Sequence, residues 1–177
     1  MNQSAPIQPH YRGIVDRIAY AIAIGAGAGL SPFAPGTCGA LEGVAVYFAS
    51  ACFATGVVTL THSEFVVFLV VLNLVVFSVG VWAAGRVCEI SGIKDPQKVV
   101  IDEVSGQLIA LVPAALSPAV VPVIAAFALF RLFDIFKPYP IRRLESLPGG
   151  LGVMADDALA GMYAAVLVWI GRLLHLF

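Results

Sequence analysis

Apolar residues in this chain run together in long blocks, with short polar segments between them, rather than alternating or recurring every third or fourth place. A hydrocarbon core of about 30 Å takes roughly 20 residues of helix to cross, and four runs approach or exceed that length: 40–60, 65–85, 104–136 and 158–176. The third is long enough to fold back on itself between Pro113 and Pro122, which divides it into two crossings. Ahead of them, residues 14–30 have helical character but carry GAGAG and run into SPFAPGTCG. That stretch predicts an interfacial or re-entrant helix leading into a loop. The expected fold is therefore all-α: a polytopic integral membrane helical bundle of about four to five spans plus the N-terminal interfacial or re-entrant helix.

The polar segments set the organisation. Residues 61–64 form a tight link, and 86–98 a charged connector in which Asp95 caps a helix with Pro96 at its first position. Ser117–Pro118 marks a turn, and 137–155 is a longer connector rich in Pro, Arg and Gly. Residues 1–13 are polar with two prolines and read as a flexible leader. Residues 14–177 read as a single helical membrane domain.

Composition agrees: 60% of the 177 residues are hydrophobic and 12% charged, against about 25% charged in ordinary soluble domains. A net charge of −1 and the lack of a basic tract argue against nucleic acid as a partner. Cys38, Cys52 and Cys88 are scattered and odd in number, so they read as reduced packing residues rather than a disulfide framework. Lysine and arginine gather before the first run, between the second and third (Arg86, Lys94, Lys98), and around 131–143. By the positive-inside rule these ends are cytoplasmic. The segments SPFAPGTCG, KDPQKVVIDE, RLFDIFKPYPIRR and GGLGVMADD all fall at those ends, so they converge on one membrane face at headgroup level.

Six acidic residues stand in or beside this apolar sequence: Asp95, Asp102, Glu103, Asp134, Asp156 and Asp157. A charge at bilayer depth costs about 2.5–3.5 kcal/mol on insertion scales, so grouped carboxylates imply something to bind. A hard divalent cation such as Mg²⁺ suits them, taking a few oxygens along with water and substrate phosphate. Arg131, Lys137, Arg142 and Arg143 are placed to neutralise a phosphate. Gly36 and Thr37 offer backbone N–H groups and a hydroxyl at a helix start. Together these point to chemistry on a phosphorylated lipid, with either a metal-activated water or a carboxylate attacking phosphorus.

Neighbouring residues on a helix lie about 100° apart, so Asp102 and Glu103 are not both expected to reach one ion unaided, nor are Asp156 and Asp157. Asp102 and Asp157, each four residues before a glycine, are favoured as direct ligands, with Glu103 and Asp156 close behind and Asp134 completing the set. Plainer roles compete: Asp134 paired with Arg131 or Lys137, Asp156 as a helix cap, Glu42 as a satisfied interface charge, and Arg142 and Arg143 as lipid anchors. His10, His62 and His175 lie at an end or on the far side, against a histidine mechanism. A cysteine nucleophile followed five residues later by arginine, the Asp-x-Asp pattern, Pro-Ser-Gly-His and Asp-Gly-x-x-Ala-Arg are all absent. The reading from another class is a small transporter or cation-binding membrane protein, which would spread its acids along a path through the bilayer.

In matching order, GLSPFAPGTCGAL, KDPQKVVIDEVSGQLIAL, FRLFDIFKPYPIRRLE and GGLGVMADDALAG resemble the phosphatidylglycerophosphatase A family, from about Gly29 to the end. The resemblance implies a small inner-membrane, multi-pass, Mg²⁺-dependent enzyme whose site faces the cytoplasm. It would hydrolyse phosphatidylglycerophosphate to phosphatidylglycerol and phosphate in phospholipid biosynthesis, with membrane lipids as its surroundings. By matching position it implicates Pro35, Gly36, Thr37 and Gly39; Asp102, Glu103 and Gly106; Arg131, Asp134, Lys137 and Pro138; and Gly150, Asp156, Asp157 and Gly161. Catalysis would fall to Asp102, Glu103, Asp156 and Asp157. The metal would be held among Asp102, Glu103, Asp134, Asp156 and Asp157. Gly36, Thr37, Arg131, Lys137 and Arg142 would bind substrate. Cys38 and Ala40 depart from the family's usual aromatic and serine, which removes any hydroxyl role at position 40.

Overall fold

The computed structural model describes residues 13–116 and 119–176, so the expected leader, apart from Gly13, and the Ser117–Pro118 turn lie outside the described residues. Among the described residues all regular structure is helical. Helix α1 (Ile14–Ala23) is about 15 Å long, too short to cross a bilayer. It lies against α3, to which Arg86 and the buried Asp16 tie it at 2.8 Å. A 3₁₀ turn over Gly25–Leu30, with Ala26 and Gly27 at positive φ, turns the chain into the next helix.

Helix α2 (Pro35–Phe53) starts with proline at its first position, where no N–H is needed, and runs on into a π-helical turn over Ala54–Val58. Helix α3 (His62–Ser91) opens with a capping box, Thr61 and Glu64 each bonding the other's backbone, and ends at Gly92 in the left-handed conformation. Helix α4 (Ile101–Leu111) tightens into a 3₁₀ segment at Val112–Leu116. Helix α5 (Val120–Phe136) returns antiparallel to it, the short α6 (Ile141–Leu144) follows, and α7 (Gly149–Leu173) closes the bundle.

Three of these are long and apolar enough to cross alone: Pro35–Val58, His62–Ser91 and Gly149–Leu173. The expected hairpin within 104–136 is present as α4 with its 3₁₀ tail and α5, arms of about 26 Å each. Val67, Val71 and Leu74 of α3 and Met162, Val166 and Trp169 of α7 are exposed. An apolar exterior on this scale belongs in lipid.

The interior is made by close backbone approach as much as by large side chains. Phe130, Leu69, Leu108, Leu111 and Val168 are fully buried at the centre. Where α4 crosses α7, Gly106 faces Gly161, and a Cβ on either would strike the other helix's backbone. At Gly150 a Cβ would likewise strike the Val81 carbonyl of α3. Such small-residue crossings are how helices associate where lipid removes the hydrophobic drive.

Two local expectations change. Helix α7 begins at Gly149, nine residues before the predicted run, so Asp156 lies two turns inside the helix and is not its cap. Nor does Asp95 cap anything: residues 94–100 form a non-helical loop, because the Val100 N–H bonds the Ala23 carbonyl at 2.8 Å and holds the chain out of a helix.

Candidate active site

The four separated segments do meet. The N-termini of α2, α4 and α7, the C-terminus of α5 and the loop after α3 surround one cavity of about 630 Å³ at one end of the bundle. Seven carboxylates line it (Asp95, Asp102, Glu103, Asp134, Glu145, Asp156, Asp157) against three cations (Lys94, Arg131, Lys137), a formal excess of four negative charges.

At its floor, Asp102, Glu103 and Asp157 bring one oxygen each within 4.8 Å of one another. The help that the helical wheel requires to bring Asp102 and Glu103 together comes from the helix end. Both lie in the first turn of α4, and Glu103 reaches back along its longer side chain to the group Asp102 joins. Asp157 enters from the third turn of α7, brought close by the Gly106–Gly161 crossing. Asp102 Oδ1, Glu103 Oε2 and Asp157 Oδ2 are buried without a hydrogen-bond partner. Three carboxylates held this close, with unsatisfied oxygens and no ion pair to any of them among the described residues, fit a hard divalent cation that takes only oxygen ligands.

The other two expected metal ligands are occupied differently. Asp134 Oδ2 pairs with Arg131, one turn earlier on α5, as the plainer reading had it. Asp156 Oδ2 receives Lys137 Nζ at 2.6 Å, and the same ammonium bonds Glu145 at 2.8 Å. Neither aspartate is part of the three-carboxylate group. Burial works against the Lys137 ammonium, but its bonds to Asp156 and Glu145 outweigh that and hold its pKa above that of a free lysine.

Of the expected substrate contacts, Gly36, Arg131 and Lys137 line the cavity, whereas Thr37 and Arg142 do not. Thr37 is half-buried on α2, and Arg142 points outward from α6. Gly36 is where the backbone must be bare, since a Cβ would run into the Glu103 carboxylate and stand 3.2 Å from Arg131. The first-turn N–H groups of Gly36 and Thr37 have no acceptor within their own helix.

Comparison with known proteins places this cavity in context. Residues 21–172 match the family described as Phosphatidylglycerophosphatase A, a stretch holding every residue of the cavity. The chain belongs to the phosphatidylglycerophosphatase A family. It is 38% identical to "Phosphatidylglycerophosphatase A" of Haemophilus influenzae, over 84% of this chain and 85% of that protein. It is 31% identical to the Escherichia coli protein of the same name, over 85% and 82%. It is 40% identical to a Bacteroides thetaiotaomicron protein named "Putative phosphatidylinositol-3-phosphatase", over 85% and 91%. No solved structure matches.

Within the family's matched region the structure adds residues that the sequence reading passed over. Lys94, Gln97 and Glu145 line the cavity, and so does Asp95, which had been assigned to a cap. Lys94 and Gln97 sit in the same KDPQK stretch as Asp95, so the block itself was the signal. Ahead of that region, Asp16 had no such signal, since its partner Arg86 is seventy residues away. Glu42, expected to be satisfied, has a buried Oε2 without a hydrogen-bond partner.

Proposed function

We propose that this protein is a Mg²⁺-dependent lipid phosphatase that hydrolyses phosphatidylglycerophosphate to phosphatidylglycerol and phosphate in phospholipid biosynthesis. The observation that carries the reading is the buried group of Asp102, Glu103 and Asp157, with its unpartnered oxygens, at the floor of a cavity where helix ends gather. Those three residues would hold the cation. When bound, it supplies Lewis-acid polarisation of a phosphoryl oxygen and an acidified water.

The chain's own residues do the rest. The first-turn amide of Gly36, which lines the cavity, would present positive partial charge to an anion. Arg131, held in place by Asp134, presents its remaining guanidinium N–H groups toward a phosphoryl oxygen beside Gly36. Lys137 acts through Asp156, fixing that carboxylate beside Asp157 rather than gripping substrate with a free ammonium. Hydrolysis joins a water oxygen to phosphorus and breaks the ester P–O bond, and the departing glycerol oxygen takes up a proton.

The cavity end carries Arg86, Lys94, Lys98, Arg142 and Arg143, whereas the opposite end carries Arg172 as its one lysine or arginine among the described residues. That bias supports a site facing the cytoplasm from the inner membrane. A transporter is not favoured, because the acids gather at one end instead of marking a path.

The test is phosphate release by detergent-purified protein from phosphatidylglycerophosphate, with Mg²⁺ and with chelator. Release that needs Mg²⁺ supports the reading, and release indifferent to chelator overturns its metal dependence. A second headgroup has one observation behind it, the name of the Bacteroides relative. Preference for phosphatidylinositol 3-phosphate in the same assay would replace the substrate and keep the site.

A further inference from the structure

We propose that Lys94 binds the second phosphate of the substrate, the phosphodiester that joins the headgroup to diacylglycerol. The inference rests on the lipid phosphatase reading and names which part of the substrate the cavity mouth recognises. Three cations line the cavity, and two are committed: Arg131 to Asp134, and Lys137 to Asp156 and Glu145. Lys94 alone makes no ion pair among the described residues, although seven carboxylates share its cavity.

Its position is built. Gly92 ends α3 in the left-handed conformation, and the Cys88 thiol donates to the Lys94 carbonyl at 3.1 Å. Farther along the loop, the Val99 N–H bonds the Pro96 carbonyl and the Val100 N–H the Ala23 carbonyl, each at 2.8 Å. The backbone is therefore pinned at both sides while the Lys94 side chain stays exposed.

Depth divides the two phosphates. Asp102 and Asp157 are 9% and 3% exposed, so the phosphoryl group that reacts must descend to the floor. The diester of the same molecule, tethered to acyl chains in the bilayer, remains at the mouth. There a cation with no internal partner offsets a wall that is otherwise strongly negative. The argument holds for any lipid headgroup that carries a terminal phosphomonoester beyond a phosphodiester. Phosphatidic acid, which has no diester, would not use Lys94.

The experiment compares wild type, Lys94→Gln and Lys94→Arg in steady-state phosphate release from phosphatidylglycerophosphate, with inorganic phosphate as product inhibitor. Lys94→Gln is expected to raise KM about tenfold, the scale of one charge-assisted contact discounted for exposure. Its kcat should stay within about twofold, inhibition by inorganic phosphate should not change, and Lys94→Arg should recover most of the affinity. An unchanged KM in Lys94→Gln overturns the assignment. So does equal weakening of KM and phosphate inhibition, which would place Lys94 at the reacting phosphoryl group. A wild type that releases no phosphate overturns the phosphatase reading itself, an outcome distinct from an active wild type indifferent to Lys94.

Discussion

Replacing Gly106 with alanine asks whether backbone contact between α4 and α7 assembles the carboxylate group. The new Cβ would stand 2.5 Å from the Phe130 ring and 2.6 Å from the Asp157 carbonyl oxygen. Ordinary carbon contacts lie at about 3.5–4.0 Å, so the two helices must part by roughly 1 Å. Phe130 is fully buried and has nowhere to swing. Overpacking of this kind costs about 1–3 kcal/mol. Alanine's helical preference over glycine returns up to about 1 kcal/mol, so the protein should remain folded. The displacement falls on the chemistry, because Asp102 lies one turn before the substituted residue and Asp157 carries the carbonyl that is struck. A 1 Å misplacement costs on the order of 100-fold in rate. Phosphate release measured against Mg²⁺ concentration should therefore show kcat about 100-fold lower and half-saturation shifted to higher Mg²⁺, with a modest fall in Tm. Gly56→Ala, which meets nothing within 4 Å, is the control for a glycine outside the crossing. Folded Gly106→Ala protein with wild-type turnover and Mg²⁺ response would refute the reasoning.

Asp157→Asn should lower phosphate release by at least about 100-fold while the protein stays folded and membrane-inserted, and near-normal turnover would remove that carboxylate from the mechanism. Lys137→Met leaves Asp156 buried without its cation, a loss of about 3 kcal/mol visible as a lower Tm; adding Asp156→Asn should restore part of it. Thr61→Ala breaks the capping box of α3 at the end away from the cavity, so thermal unfolding should show a loss of about 1 kcal/mol with turnover unchanged.

What the sequence disclosed was the all-helical membrane character and the convergence of four polar blocks, because both follow from length and charge placement alone. What it concealed depended on contacts distant in sequence. Gly149 and Gly150 look like loop residues beside Pro148, yet Gly150 is there because α3's backbone leaves no room for a Cβ. Pro96 looks like the start of a helix, but a bond from Val100 to Ala23 keeps the loop open until Ile101. An ideal wheel separates Asp102 from Glu103, whereas a first turn with a long side chain lets both reach one point. The Arg131–Asp134 pair was legible as a possibility of spacing, one turn apart on α5, whereas the Lys137–Asp156 pair joins residues nineteen apart and was not. The Asp16–Arg86 pair left no local trace at all.

The apolar exterior of α3 and α7 has a kinetic consequence. An enzyme embedded in the same phase as its substrate does not meet it by diffusion through water. Its turnover should follow the mole fraction of substrate within the bilayer or micelle, and diluting the substrate with inert lipid or detergent should slow it even at fixed bulk concentration. The products then part company: orthophosphate leaves through the mouth into water, while the dephosphorylated lipid stays in the two-dimensional phase, where it competes with fresh substrate for the same entrance.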